Sequence, residues 1–508
     1  MSDNVHHQIE RILDEDAGRT VGVIVQMGSR PDDPVASRLD VGRWSQATTA
    51  REVLPEPVRA VRSAAVLAGA TAGGVPCIRP PIPDLLGAEP ARPGLSTVRT
   101  ANTAALEPLL ATDAARRANE TRPGAVSAFW PSRSAYLELD RDDLARLATM
   151  PGLAAVYPNV RVTLPPVTAA KELPTAVLEN SASSWGATAV GALAVWGAYG
   201  ARGAGVTVGV LDSGVDANHP DLVGKVKHWA EFDGRGRPVP GSTPIDTQGH
   251  GTHVCGTIAG GNMSGQWIGV APEADLAVAR VLPDGSGTLA QIQAGIAWAV
   301  EQGVDVLSMS LSAPLFDSET GAFTSLAPGV FTEAFRTCLL AGIPVVAAMG
   351  NRGDQTGATT GSDLFAFGVG AIDHRDIVAG FSGGLSEVLA TSTVISAEHL
   401  PLIFTKPDIC APGVAVTSSY LDGTWKALNG TSMATPHVAG AIALLLSAVP
   451  SIHSTQSGVK RALYLMDQIV GSADELGEAG QDSRYGFGRL NVLRAIALAR
   501  AVVSEETP

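Results

Sequence analysis

Residues 429–437 read Asn-Gly-Thr-Ser-Met-Ala-Thr-Pro-His and lead directly into an apolar run from Val438 to Ala448. This pattern predicts a buried helix that begins at a glycine turn and carries Ser432 in its first turn. Developing negative charge is stabilised there by backbone N–H groups without intrahelical acceptors and by the positive end of the helix dipole. Because a serine hydroxyl alone is a weak nucleophile, the position suggests catalysis only if a base and an orienting acid exist elsewhere.

Two further motifs supply these groups. His250 stands in Gly-His-Gly-Thr-His-Val at 249–254, and Asp212 stands in Val-Gly-Val-Leu-Asp-Ser-Gly at 208–214. The order aspartate, histidine, serine is the one found in subtilisin among the known triads. Together with weaker blocks at 308–311 and 347–351, these motifs show that residues from about 185 to 500 resemble the subtilases, the subtilisin-like serine proteases.

The resemblance implies a role for each of four residues. His250 would take a proton from Ser432 as the hydroxyl attacks a carbonyl, and Asp212 would hold the imidazole in the correct tautomer. Asn351 would donate to the oxyanion beside the backbone N–H of Ser432. A structural alternative for Asn351 is a left-handed turn, which the neighbouring glycines also suit.

The resemblance also predicts substrate-binding residues. Ser310, Leu311 and Ser312 resemble the extended segment that pairs with substrate backbone, and Gly350 precedes the oxyanion donor. Pairing of this kind gives affinity with little side-chain selectivity. Ser312 stands where the family usually has glycine, so its side chain is expected to narrow the first specificity pocket.

Composition excludes several classes of function. The formal net charge of −14 argues against a nucleic-acid binder, which would carry a basic stripe. The sequence contains no uninterrupted apolar run of about 18 residues, so no membrane span is predicted. No cofactor motif is present, and the loop 260–266 lacks the roughly six oxygen ligands that calcium needs, so no metal is predicted there. The first residues lack the pattern of a secretory signal, which predicts a cytoplasmic protein.

From about residue 193 the chain alternates strands with helices, which predicts an α/β fold with a parallel sheet covered by helices on both faces. The predicted strands are 205–211, 274–282, 304–310 and 343–349, and the predicted helices are 289–300 and 331–340. Asp212 and Asn351 follow the carboxyl ends of strands, the edge where open α/β sheets place their active sites.

The first 165 residues follow a different plan. Strands at 21–27, 127–130, 135–139 and 153–157, with helices at 108–119 and 140–150, predict a smaller α+β ferredoxin-like domain with a proline- and glycine-rich insertion at 31–94. Residues 124–160 resemble the end of a subtilase propeptide, which implies that this domain assists folding and then inhibits the protease. An unrelated docking domain is the alternative. The expected boundaries are 1–165 for this domain, 166–185 for a linker, 186–500 for the peptidase and 501–508 for a tail.

The sequence therefore predicts a serine endopeptidase that acts on protein or peptide substrates through an acyl-enzyme and is made as a self-inhibited zymogen. Two alternatives share its residues. One is a catalytically silent binding protein that is permanently plugged by its own N-terminal domain. The other is a peptide ligase or cyclase, which would use the same acyl-enzyme but exclude water.

Overall fold

The computed structural model describes residues 20–28, 95–147, 149–164, 167–170, 182–311, 329–389, 392, 394–395 and 400–505. The whole predicted insertion at 31–94 and the substrate-binding candidate Ser312 lie outside these residues.

The N-terminal domain is a four-stranded sheet with helices packed against it. Its strands pair in the order β2-β3-β1-β4, and the measured pairings of β1 with β3 and β4 and of β2 with β3 are antiparallel. This is the predicted ferredoxin-like arrangement. Its elements are β1 (Val21–Met27), α1 (Leu95–Leu110), α2 (Asp113–Thr121), β2 (Val126–Phe129), β3 (Ser134–Leu139), α3 (Arg141–Leu147) and β4 (Leu153–Pro158).

One predicted helix of this domain is wrong. The sequence predicts a single helix at 108–119 that begins at its proline, but Pro108 lies in the last turn of α1 and a second helix starts at Asp113. The boundary is set by Thr112, whose hydroxyl accepts a hydrogen bond from the Ala115 N–H at 3.1 Å and so caps α2.

The larger domain is built on a seven-stranded parallel sheet with the strand order β16-β13-β12-β11-β7-β9-β8. The sheet and its helices confirm the predicted α/β fold. The elements up to the middle of the sheet are α4 (Trp185–Ala189), α5 (Ala192–Tyr199), β7 (Thr207–Asp212), β8 (Val226–Glu231), α6 (His250–Ala259), β9 (Asp275–Arg280), β10 (Ser286–Thr288), α7 (Leu289–Gln302), β11 (Val306–Met309), α8 (Thr332–Leu340) and β12 (Val345–Ala348).

The remaining elements complete the sheet and the helical layers. They are β13 (Ala366–Ile372), β14 (Leu385–Leu389), β15 (Leu402–Lys406), β16 (Ile409–Pro412), β17 (Val416–Ser419), β18 (Trp425–Asn429), α9 (Thr431–Ala448), α10 (Ser451–Thr455), α11 (Gly458–Gly471) and α12 (Val492–Glu505). Strands β14 and β15 pair with each other as an antiparallel two-stranded sheet.

Helix α9 lies at the centre of this domain. It packs on β11, β12 and β13 as well as on α6, and almost all of its residues are buried. Its length and composition would suffice to cross a membrane, but 94% of it is buried inside the fold. This is the burial expected of a core helix, and it brings the N-terminus of α9 to the carboxyl edge of the sheet.

Two short strands of the linking segment, defined here as residues 161–164 and 167–170, pair with the larger domain. Strand β5 (Arg161–Thr163) is antiparallel to β10, and β6 (Thr168–Ala169) is antiparallel to β18. The larger domain thus contacts the chain on both sides of the two residues at 165 and 166.

Candidate active site

Asp212 and His250 form a buried pair at the carboxyl edge of the sheet. Asp212 is the last residue of β7 and His250 is the first residue of α6. The Nδ1 atom of His250 lies 2.8 Å from Oδ1 of Asp212, and both side chains have no exposed surface. The same Asp212 oxygen accepts the backbone N–H of Ser213 at 2.7 Å. A carboxylate in this position fixes the imidazole with Nδ1 protonated, which leaves Nε2 able to act as a base.

The other ring nitrogen of this pair has no partner in the part of the chain that the structure describes. Nε2 of His250 and Oδ2 of Asp212 are both buried, and neither forms a hydrogen bond with the described residues. Buried polar atoms are nearly always hydrogen-bonded, and an exception calls for an explanation, of which a catalytic role is one. The unsatisfied Nε2 is therefore the atom of this site that is best suited to receive a proton.

Ser432 is the second residue of α9 and is fully buried. Its hydroxyl donates to the carbonyl oxygen of Ser310 at 3.2 Å, just beyond the end of β11. Ser432 also carries one of the first N–H groups of the helix, which have no intrahelical acceptor. The nucleophile candidate and a backbone donor for an anion thus belong to one residue.

Asn351 is held against the start of the same helix. Its Oδ1 accepts hydrogen bonds from the backbone N–H of Thr431 at 2.9 Å and from the Thr431 hydroxyl at 2.8 Å. The Thr431 hydroxyl in turn accepts the N–H of Gly350 at 3.1 Å, and Gly350 has the positive φ of 91° that favours glycine. With the amide oxygen committed in this way, the amide nitrogen lies beside Gly430, where an added Cβ would be 3.1 Å from Nδ2.

The predicted substrate-binding residues are only partly described. Ser310 contacts Ser432 directly, and the carbonyl of Leu311 accepts the Thr360 hydroxyl at 2.7 Å. Ser312 lies outside the described residues. The structure thus brings Ser310 and Gly350 into the site, while the predicted role of all four in substrate binding stays a prediction.

Other titratable groups near the site are held neutral. Burial lowers the pKa of His253 to about 3 and the pKa of His437 to about 4. Burial, with the nearby carboxylates of Asp212 and Asp246, raises the pKa of the Cys255 thiol well above its usual value, which makes this thiol unreactive. His250 is therefore the histidine of this region with a geometry suited to proton transfer.

Among the residues that the structure describes, no group of three or more histidine, cysteine, aspartate or glutamate side chains is arranged to hold a metal. Next to the loop 260–266, both carboxylate oxygens of Asp221 are hydrogen-bonded within the fold: Oδ1 accepts the N–H of Met263 and Oδ2 accepts the indole N–H of Trp425, both at 2.7 Å.

The sequence motifs did not predict several residues that support the site. Thr431 orients Asn351, and Ser213, Asp246 and Gln248 hold the backbone around Asp212 and His250. Ser213 and Thr431 stand within the motifs at 208–214 and 429–437, and Asp246 and Gln248 stand just before the motif at 249–254. Their contacts depend on the folded structure and could not be read from these motifs.

Comparison with known proteins agrees with this geometry. A profile of the subtilase family matches residues 203–488. Subtilisin DY from Bacillus licheniformis is 36% identical over 301 residues, which cover 58% of this chain and 92% of that protein. Subtilisin E from Bacillus subtilis (strain 168) is 38% identical over 58% of this chain and 67% of its own length. An alkaline protease from Alkalihalobacillus alcalophilus is 34% identical over 70% of this chain and 77% of its own length.

Proposed function

The chain belongs to the subtilase family and is a subtilisin-like serine endopeptidase, and from this premise we propose that Asp212, His250 and Ser432 form its catalytic triad. The observation that carries the proposal is the buried 2.8 Å contact between His250 and Asp212, with the second imidazole nitrogen left without a partner among the described residues.

In the proposed reaction, the Ser432 hydroxyl leaves the carbonyl of Ser310 and turns toward Nε2 of His250. The imidazole takes the hydroxyl proton as Oγ attacks the substrate carbonyl, and it then gives this proton to the departing amine. Asp212 stabilises the imidazolium that exists between the two transfers. Water then attacks the acyl-enzyme by the same steps and releases the acid product.

The negative charge on the substrate oxygen needs donors that are already in place. We assign this role to the amide N–H₂ of Asn351 and the backbone N–H of Ser432. Thr431 supports the assignment because its N–H and its hydroxyl both donate to Oδ1 of Asn351. This fixes which end of the amide is the oxygen and leaves the N–H₂ group as the donor. Donors fixed before the reaction require no reorganisation when the charge develops, which is the main source of their effect.

We further propose that the N-terminal domain inhibits the protease in cis. Leu164 donates its N–H to the carbonyl of Gly285 at 2.9 Å, and Ala170 donates to the carbonyl of Ala427 at 3.0 Å. Val167 lies beside Gly430, where an added Cβ would be 3.0 Å from its Cγ1. The linking segment therefore pairs with β10 and β18 in the manner of an added peptide strand, and Val167 reaches the glycine two residues before Ser432.

The domain body adds contacts away from the site. Arg133 forms a buried ion pair with Glu333 of α8 at 3.0 Å, and the Trp130 indole donates to Glu301 of α7 at 3.2 Å. These contacts support inhibition because they anchor the domain independently of the linking segment. The alternative of a permanently plugged binding protein would require that the segment never leaves.

Hydrolysis of a fluorogenic peptide, followed by mass spectrometry of the products, tests the proposal. Hydrolysis adds one water across the cleaved bond, whereas ligation or cyclisation joins fragments without it. The proposed function predicts hydrolysis by the wild type and none by Ser432→Ala of equal helicity. Turnover by Ser432→Ala would refute the assigned nucleophile, and joined products would favour the ligase.

A further inference from the structure

Asp246 is a buried carboxylate that accepts five hydrogen bonds beside the pair of Asp212 and His250. It is 8% exposed. Its Oδ1 accepts from the Ser213 hydroxyl at 3.0 Å and from the backbone N–H groups of Gln248 and Gly249 at 3.0 and 2.9 Å. Its Oδ2 accepts from the backbone N–H and the hydroxyl of Thr252 at 2.9 and 2.7 Å. None of these groups belongs to the proposed triad.

The first turn of α6 depends on these contacts. The cap residue Gly249 has no side chain, so the N–H groups of His250, Gly251 and Thr252 need other acceptors. They are accepted by Oε1 of Gln248 at 2.7 Å, by the Ser213 hydroxyl at 2.9 Å and by Asp246. A carboxylate at this end of a helix is also favoured by the helix dipole.

The same carboxylate is linked to the end of β7. Ser213 donates its hydroxyl to Asp246 while its backbone N–H donates to Oδ1 of Asp212. The backbones meet so closely that a Cβ at Gly251 would lie 2.1 Å from the carbonyl oxygen of Gly214. Asp246 thus joins the helix that carries His250 to the strand that carries Asp212.

We propose that Asp246 is a positioning residue that sets the orientation of His250 toward Asp212 through Ser213. The inference rests on the proposed triad and extends it. The five hydrogen bonds of Asp246 go to groups outside the triad side chains, so its effect is on the alignment of the base. Misplacement of a reacting group by about 1 Å costs about 10²-fold in rate, whereas substrate affinity depends on other residues. Loss of Asp246 should therefore lower kcat and leave KM nearly unchanged.

Asp246→Asn is the informative variant because it keeps the shape of the side chain. The amide nitrogen must face the donors of either Oδ1 or Oδ2, so either the backbone N–H of Thr252 or those of Gln248 and Gly249 lose their acceptor, and the hydroxyl on that side must reverse its hydrogen bond. Ser213→Ala removes the hydroxyl through which Asp246 and the Gly251 N–H are linked to the end of β7, and it leaves the Asp246 carboxylate in place. Asp305→Asn is the matched control: Asp305 accepts the N–H of Thr207 at 3.0 Å and so supports the opposite end of the same strand.

The experiment measures kcat and KM for a fluorogenic peptide well below the unfolding temperature, with the fraction of folded protein determined for each variant. We expect Asp246→Asn to lower kcat about 10- to 100-fold with little change in KM. We expect Asp305→Asn to lower the unfolding temperature without lowering kcat. Since Asp246 and Ser213 act through one linkage, the double variant should be no slower than Asp246→Asn alone.

Three outcomes would overturn the inference: an unchanged kcat in Asp246→Asn, an equal loss of kcat in Asp305→Asn, or losses in Asp246→Asn and Ser213→Ala that multiply fully in the double variant. Wild type and Ser432→Ala are measured in the same assay. If Ser432→Ala abolishes turnover but Asp246→Asn does not slow it, only the positioning role fails. If Ser432→Ala retains turnover, the proposed triad itself fails.

Discussion

Ser310 and Ser432 exchange two hydrogen bonds. The Ser310 hydroxyl donates to the carbonyl oxygen of Ser432 at 2.9 Å, and the Ser432 hydroxyl donates to the carbonyl oxygen of Ser310 at 3.2 Å. The first bond has a cause in the sequence. In a regular helix the Ser432 carbonyl would accept the N–H of residue 436, but that residue is Pro436, which has none. Ser310 supplies the missing donor and so ties the strand end to the helix that presents the nucleophile.

Ser310→Ala should destabilise the fold, because it leaves the buried carbonyl of Ser432 without this donor. We expect a loss of about 1–3 kcal/mol in the free energy of unfolding, measured by urea denaturation in the Ser432→Ala background to prevent self-digestion. Pro436→Ala is the matched test of the cause, since it restores an N–H at the position that the helix requires. The double variant should recover part of the loss, and a purely additive loss would contradict the explanation.

Asn351→Ala should lower kcat with little effect on KM, because the amide stabilises charge that exists only in the transition state. In subtilisin, removal of the corresponding donor costs about 10²- to 10³-fold in kcat, and we expect an effect of that order. Asn351→Asp keeps the size but replaces the donor by an acceptor, so it should be at least as slow. If Asn351→Asp retained wild-type kcat, Asn351 would have a structural role only.

Arg133→Met should weaken inhibition by the N-terminal domain. The change leaves the carboxylate of Glu333, which is 1% exposed, without its partner from that domain, and truncation of one member of a buried charge pair costs about 2–5 kcal/mol. Hydrolysis of a small peptide by the unprocessed chain should therefore increase.

Arg99→Met is the control for this effect. Arg99 also bridges the two domains, through Glu301 at 3.1 Å, but the two side chains are 56% and 39% exposed, and such solvent-accessible pairs contribute little. Equal activation by the two variants would show that the buried pair has no special role in holding the domain.

Pro165→Ala/Pro166→Ala should accelerate self-cleavage between residues 164 and 167. These are the only residues between the two paired parts of the linking segment, and a proline nitrogen carries no hydrogen with which to pair to an extended strand. Intact mass after incubation would show the cut, and the same substitutions with Ser432→Ala provide the control. A wild type that cuts itself there as fast as the variant would contradict the prediction.

Glu387→Gln should stabilise the protein above neutral pH. Burial, with the nearby carboxylate of Asp363, raises the pKa of Glu387 to about 7. Because the pKa of Glu387 is raised in the folded state, the stability that this side chain contributes is fully present below its unfolded-state pKa of about 4.3. This contribution is lost as the pH rises through the folded-state pKa of about 7. The wild type should lose about 1–3 kcal/mol over this range relative to Glu387→Gln. Thermal unfolding from pH 4 to pH 8, with the exposed Glu478→Gln as control, measures the difference, and parallel curves would contradict it.

Sequence patterns predicted most of what positions the site. The apolar run before Asp212 and the glycine turn before Ser432 predicted a strand end and a helix start, and both are found. Patterns could not predict the bond from Ser310 to Ser432, because it joins residues 122 positions apart whose contact depends on sheet packing. The helix boundary at Thr112 was missed because a local side-chain cap outweighed the signal from Pro108. The cytoplasmic location and the domain boundaries remain predictions.

The most direct test of the central claim is covalent labelling by a fluorophosphonate, followed by mapping of the adduct, on chain from which limited proteolysis has removed the N-terminal domain. An activated serine attacks the phosphorus, so the account predicts one adduct on Ser432 in the wild type and a greatly reduced labelling rate in His250→Ala. Labelling of another residue, or labelling of Ser432 at the wild-type rate without His250, would contradict it.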